Sequence, residues 1–213
     1  MLSPLKELLS DFKLVLASSS PQRKAIFDQL GLQFSVVPST FDEESIDKTG
    51  YTEAGNYVKC LAHQKALNVA QTLVNTKEKH LVVGADTVVV HNGKIIGKPH
   101  VKETATKTLQ LLSNKTHLVC TGVSIVEVEP DSDFAVTMFC ETTKVTFSLL
   151  SAAMIKSYVD SKEPLNKAGA YGIQGLGALL VENIEGDYNN VVGFPAYRFF
   201  TELTKFLSRV PES

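Results

Sequence analysis

Apolar residues recur along this chain with two different periods, and the switches between them mark out its elements. Leu2, Leu5, Leu8, Leu9 and Phe12 form a helical stripe interrupted by Pro4, Glu7 and Asp11. A strand, KLVLAS, comes next, then a helix from Pro21 to Leu30, then a second strand, FSVVPS, which runs into the acidic turn FDEES. That order is a βαβ unit. The positions of Ala54, Val58, Leu61, Ala62, Ala66, Val69 and Leu73 predict a longer helix from about Thr52 to Leu73. The run HLVVGADTVVVHNGKIIGKP then reads as a strand, an Asn92-Gly93 turn of the hairpin type and a return strand ending at Pro99. Another helix is expected over Lys102 to Ser113.

Two long strands, THLVCTGVSIVEVE and AVTMFCETTKVTFS, are joined by PDSD and read as an antiparallel pair. Ser151 caps a helix in SAAMIKSYVDSK, EPLNKAGAYGIQGLG is a glycine-rich loop, ALLVENIEG is a strand, and AYRFFTELTKFLSRV closes the chain as an amphipathic helix. Alternation early and hairpins late predict an α/β fold with a mixed sheet and helices on its faces. Residues 13–210 are expected as a single domain, with 1–12 as an N-terminal helical extension. A cleft between two lobes, walled by the N-terminal unit and by residues near 165–195, is the expected ligand site.

At 213 residues and 44% hydrophobic content the chain can fill a substantial core. Its net charge of −2 and pI near 6.2 offer no general field for nucleic acid or an anionic membrane, so anion affinity must come from local clusters. Cys60, Cys120 and Cys140 form no CxxC pair, which suggests reduced thiols in the cytoplasm. The N-terminal stretch lacks the apolar block of a signal peptide, and no run reaches the roughly 18 apolar residues that span a bilayer.

The stretch ASSSPQRKAIFDQLG concentrates the first candidate chemistry. Ser20 suits the cap, Pro21 the first helical position and Gly31 the exit, so Arg23 and Lys24 fall in the first turn. Cations there oppose the helix dipole by roughly 0.3–1 kcal/mol each unless an anion lies between them. Free amides, the hydroxyls of Ser18, Ser19 and Ser20, and the Arg23 fork therefore predict a phosphate site. No GxxxxGK[ST] pattern is present, which excludes a P-loop.

Asp86 interrupts the apolar run LVVGADTVVV, where a carboxylate is costly unless paired or bound to metal. It either takes a proton from an attacking water or holds a divalent cation; the bland alternative is satisfaction by backbone amides at a bulge beside Gly84. Glu43 follows a strand at its C-terminal end and is either a second metal ligand or part of a solvated acidic turn. No His/Cys cluster has zinc spacing, so a hard cation, Mg²⁺ or Mn²⁺, fits better. Lys65 sits on or beside the apolar stripe of its helix, as a ligand to phosphate or a snorkelling side chain. Lys98, between Gly97 and Pro99, is placed as a phosphate clamp, and Lys167 lies in the glycine loop, which reads as mobile. A triphosphate carries about four negative charges, which Arg23, Lys65, Lys98 and Lys167 with one metal would roughly balance. In the same loop Tyr171 is expected to stack on a base and Gln174 to read its edge.

The ordered motifs LASSSPQRK, FDEE, QKA, GADTVV, GKP, EPLNKAGAYGIQGLG and GDYNNVVGFP resemble the Maf family of nucleoside triphosphate pyrophosphatases. The resemblance implies a mixed sheet in two lobes around a deep cleft, as in the related inosine-triphosphate pyrophosphatases, and commonly a cytoplasmic homodimer. It also implies metal-dependent hydrolysis between the α- and β-phosphates. Asp86 matches the family's catalytic acceptor, Ser20, Arg23, Glu43, Lys65 and Lys98 match its phosphate- and metal-handling positions, and Thr87 and Gln174 match positions linked to base choice. The Asp-Thr pair with the later Gly-Ile-Gln-Gly looks like the branch acting on dTTP and UTP, sometimes CTP. Gln22 departs from that branch, which usually has arginine there at a position tied to specificity. Alternatives are hydrolysis of inosine, xanthosine or 7-methyl-guanosine triphosphate, and a nucleotide-binding regulator without catalysis. Phosphoanhydride hydrolysis needs no covalent nucleophile, so the serines read as hydrogen-bond donors.

Overall fold

In the computed structural model, which describes residues 3–130 and 132–208, the β-branched runs assemble into one seven-stranded mixed sheet. Its strands are β1 (Phe12–Leu16), β2 (Phe34–Val36), β3 (Lys79–His91), β4 (Lys94–Ile96), β5 (Thr116–Val128), β6 (Ala135–Phe147) and β7 (Val181–Glu185). The order is β2-β1-β3-β5-β6-β7, with β4 on β3. β2, β1 and β3 run parallel, and the remaining pairings are antiparallel. The helices are α1 (Ser3–Leu8), α2 (Pro21–Gln29), α3 (Ala54–Ala70), α4 (Lys102–Leu112), α5 (Ala152–Asp160), α6 (Tyr188–Val192) and α7 (Ala196–Leu207).

Residues alternate between the two faces of each strand, and each face has its own cover. Val15, Val82 and Val126 meet Ala66, Val69 and Ala70 of α3. On the opposite face, Leu16, Leu81, Val83 and Ile125 pack under Phe27 of α2 and Phe199, Leu203 and Phe206 of α7. Farther along that same face, Val89, Val119, Val145 and Phe147 pack under Leu109 and Leu112 of α4 and Ile155 and Tyr158 of α5. These two clusters are the two lobes. Phe27 anchors the first, edge-on to Phe34 and Phe194 with ring centroids 5.1 and 5.0 Å away. Its truncation to alanine would cost on the order of 3–5 kcal/mol.

Helix α1 belongs to the first lobe, where Leu5, Leu9 and Phe12 share the core with Phe206 and Leu207; Leu2 lies outside the described residues, as do Arg209 and Val210 at the end of the closing helix. Three elements differ from the sequence reading. The β2 strand stops at Val36, ALLVENIEG yields a strand only from Val181, with Leu176–Leu180 as a 3₁₀ turn, and NNVV adds the short helix α6.

A notch in the sheet positions the site. β1 accompanies β3 only to Leu16 opposite Val83, with the amide of Ala17 donating to the Val83 carbonyl at 2.8 Å. β4 joins the same edge only from Ile96 opposite Val89. Between these points residues 84–88 are paired on one side by β5 and, among the described residues, by no strand on the other. Side chains from both faces of β3 therefore reach one opening.

Candidate active site

The loop leaving β1 forms the first wall. Ser20 caps α2 by accepting from the Arg23 amide at 3.4 Å, and Gly31 leaves the helix with φ +68°, the left-handed conformation glycine adopts without strain. Ser18 accepts from the Ser20 amide at 3.2 Å and from Nη1 of Arg23 at 3.4 Å. The Arg23 guanidinium also donates through Nε to the Gly193 carbonyl at 3.0 Å and through Nη2 to Oγ1 of Thr87 at 3.0 Å. Burial pushes its pKa down, opposed by the negative charges of Asp86 and Glu43. Gln22 accepts from the Ser20 hydroxyl at 3.2 Å.

Lys24 does not join this group. It turns outward and pairs with Asp28 at 2.6 Å, an exposed i,i+4 pair. The Lys24 charge is thus offset by a carboxylate one turn on, and Arg23 alone of the two cations faces the opening.

The carboxylate pair is built by close approach of helix to sheet. A Cβ on Gly84 would lie 2.2 Å from the Ala62 carbonyl, and one on Gly122 2.3 Å from that of Val58, so α3 rests directly on β3 and β5 at these two glycines. Gly122 stands opposite Asp86 in the ladder and Gly84 shares its face. Lys65 is thereby lowered onto Asp86, with Nζ 2.6 Å from Oδ1 and both side chains only 11% exposed. The β3–β5 register runs through Asp86 without a bulge, which sets aside backbone amides as its partners. Lys65 also lies 2.9 Å from Glu43, so it bridges the two carboxylates. Phe41, Ile46 and Tyr51 pin the segment carrying Glu43 against Tyr57, Val58 and Leu61 of α3. Burial raises the Glu43 pKa, but Lys65 first, then Lys98 and Arg23, outweigh it and hold the carboxyl below its usual range.

The second wall comes from 163–177. Lys167 donates to the Glu163 carbonyl at 2.9 Å, while Lys98 and Gln174 are exposed at the rim. Tyr171 is not a free stacking surface: it is buried, bonds through its hydroxyl to Nε2 of His117 at 2.9 Å and packs edge-on to Phe147. Nor is the glycine stretch a loose connection. Glu163 accepts from Tyr158, Leu176 and Gly177, and Tyr158 accepts from the Gly172 amide.

Ser18, Ser20, Gln22, Arg23, Glu43, Lys65, Asp86, Thr87, Lys98, Lys167 and Gln174 all line one cleft of about 740 Å³. That volume suits a small-molecule ligand the size of a nucleotide. Arg23 and Asp86, which are far apart in sequence, face the same opening. One expectation changes: Lys65 is already engaged by two carboxylates, so among the described residues Arg23, Lys98 and Lys167 are the lining cations without an ion pair.

A family model for Maf-like proteins matches residues 13–206. This chain belongs to the Maf family. It is 43% identical over 194 residues to a protein named dTTP/UTP pyrophosphatase from Clostridium perfringens (strain SM101 / Type A), covering 91% of this chain and 97% of that one. It is 44% identical over 210 residues to a Homo sapiens protein named probable bifunctional dTTP/UTP pyrophosphatase/methyltransferase protein, covering 96% of this chain and 34% of that one. The chain thus spans about a third of the human relative's length. Among solved structures, a HAM1 protein from Coxiella burnetii aligns over 91% of this chain and 99% of that one at 16% identity and a TM-score of 0.41, an overlap too low to build on.

In this Maf chain the motif GDYNNVVGFP supplies residues whose roles sequence reading did not assign. Asn190 is fully buried and donates to the Val119 carbonyl and Thr143 hydroxyl, both at 3.0 Å. Thr121 ties the Asn190 carbonyl at 3.4 Å to Thr87 at 3.0 Å. This network seats α6 under the cleft and presents the Gly193 carbonyl to Arg23. Their signal was the polar run itself, Asn-Asn between an Asp cap and a glycine exit.

Proposed function

We propose that the cleft hydrolyses dTTP and UTP, and related pyrimidine nucleotides, between the α- and β-phosphates, in nucleotide-pool housekeeping. The observation that carries this reading is that one cleft holds a buried acid, Asp86, beside the capped helix start and three lining cations that have no ion pair among the described residues. Arg23 and the Ser18–Ser20 loop grip phosphate oxygens, with Lys98 and Lys167 closing on the tail from the far wall. A water attacks phosphorus, its proton passes to the Asp86 carboxylate, the bridging P–O bond breaks, and pyrophosphate leaves with the bonding electron pair. Lys65 keeps Asp86 and Glu43 in register for this step, and Thr87, Gln22 and Gln174 discriminate the base.

Glu43 and Asp86 offer hard oxygen donors on one ammonium, and Mg²⁺ or Mn²⁺ held by one or two carboxylates plus substrate phosphates suits that donor set. Among the described residues no three His, Cys, Asp or Glu side chains gather into a cage, so the substrate's oxygens would complete the coordination. When bound, such an ion polarises phosphoryl oxygens as a Lewis acid. The same reading includes a homodimer in the cytoplasm; the free thiols of Cys60, Cys120 and Cys140 support a reducing compartment, and no described helix is long and apolar enough to cross a membrane.

Pyrophosphate release across a panel of nucleoside triphosphates, with and without Mg²⁺, tests the reading. Turnover of dTTP and UTP is expected. Turnover confined to purine nucleotides, or release of orthophosphate alone, overturns it.

A further inference from the structure

Gln174 projects from a stretch that is tied at both ends, and both ties converge on one side chain. On the near side, the Gly172 amide donates to the Tyr158 hydroxyl at 3.1 Å, which donates to Oε1 of Glu163 at 3.0 Å. On the far side, the Leu176 amide donates to Oε2 at 3.0 Å and the Gly177 amide to Oε1 at 3.3 Å. Burial raises the pKa of Tyr158, which keeps its phenol a donor. The fit leaves no slack: a Cβ on Gly175 would lie 2.5 Å from Oε2 of Glu163. Glu163 also fixes Lys167, through its main-chain carbonyl. Its own backbone is set by Lys162, with φ +65°, and by Pro164.

We infer that Glu163 is a positioning residue for nucleotide recognition, holding residues 172–177 so that Gln174 meets the base while Lys167 meets the tail. This rests on the pyrophosphatase reading above and extends it: selectivity depends on a carboxylate that does not itself contact the reacting atoms. A carboxylate accepting from three donors is worth more than the neutral contacts elsewhere in the loop, because charge-assisted hydrogen bonds are the stronger kind.

The test compares dTTP with deoxyribose 5′-triphosphate, which keeps the tail and lacks the base, and follows amide hydrogen exchange at 172–177 without substrate. In Glu163→Ala, which removes all three contacts to the carboxylate, KM for dTTP is expected to rise about tenfold as Gln174 loses its hold on the base. The base-free compound should be handled as by the unaltered protein, and exchange at 172–177 should accelerate. Glu163→Gln retains an acceptor for Tyr158 and should recover part of the loss. Should Glu163→Ala fail to fold, Tyr158→Phe cuts one tie and is expected to shift KM and exchange in the same direction by less. Equal losses on both compounds, or unchanged exchange, overturn the inference. An unaltered protein that hydrolyses neither compound, with exchange still faster in the variant, counts against the pyrophosphatase reading and leaves the clamp standing.

Discussion

The Lys65 ammonium lies 2.6 Å from Asp86 and 2.9 Å from Glu43, and this single cation joins helix, strand and acidic turn into one site. A carboxylate as buried as Asp86 needs a partner, and α3 supplies one only because Gly84 and Gly122 let the helix settle on the sheet. The geometry of the cleft and the stability of the fold are therefore coupled at the same pair.

Replacing Asp86 with asparagine preserves volume and removes charge. Turnover should fall by roughly 10²–10⁴, the usual weight of a general base, while fold and nucleotide binding persist because Lys65 keeps Glu43. Pyrophosphate release, circular dichroism and nucleotide titration read the three quantities. Undiminished turnover would remove Asp86 from the chemistry.

Two lysines of the cleft should separate cleanly. Lys65→Met strands a buried carboxylate and should cost about 3–5 kcal/mol in denaturant unfolding. Lys98→Ala, at an exposed rim position, should leave the unfolding midpoint in place and raise KM for the triphosphate about tenfold. Equal stability effects would mean that Lys65 is not the partner of Asp86 in solution.

Gln22→Arg deletes the acceptor of the Ser20 hydroxyl and adds a second cation beside Arg23. The ratio of kcat/KM for dTTP and UTP is expected to shift severalfold, on the order of 1 kcal/mol of discrimination. A flat ratio removes Gln22 from base selection.

His117 supplies a pH dependence of stability. Burial first, and His91 second, push its pKa from 6.5 down to about 4. Below pH 6.5 the unfolded chain takes up a proton that the folded protein refuses until about pH 4, so this group's contribution is complete above 6.5 and is lost as pH falls through that window. The slope approaches about 1.4 kcal/mol per pH unit. Unfolding free energies of the unaltered protein and His117→Phe, compared from pH 7 to 4, should converge toward acid; parallel curves would show that His117 is not buried neutral.

Local rules made much of this molecule legible from its residues. Ser20, Pro21 and Gly31 bound α2 through backbone dihedrals and orphan amides, and Asp86 stood out because charge inside an apolar strand demands an explanation. Such signals act within a few residues and need no partner from elsewhere. What they left open depended on which surfaces meet. Lys24 looked like a ligand to the same anion as Arg23 until Asp28 one turn on took its charge outward, and Tyr171 looked free until His117 and Phe147 enclosed it. Glu163 gave no local sign of clamping a loop 13 residues away. The notch at 84–88, the descent of α3 onto two glycines and the meeting of Lys65 with Asp86 arise from strand register and helix approach, which are properties of several segments at once. Periodicity tells a side chain which face it is on; only packing tells it what it faces.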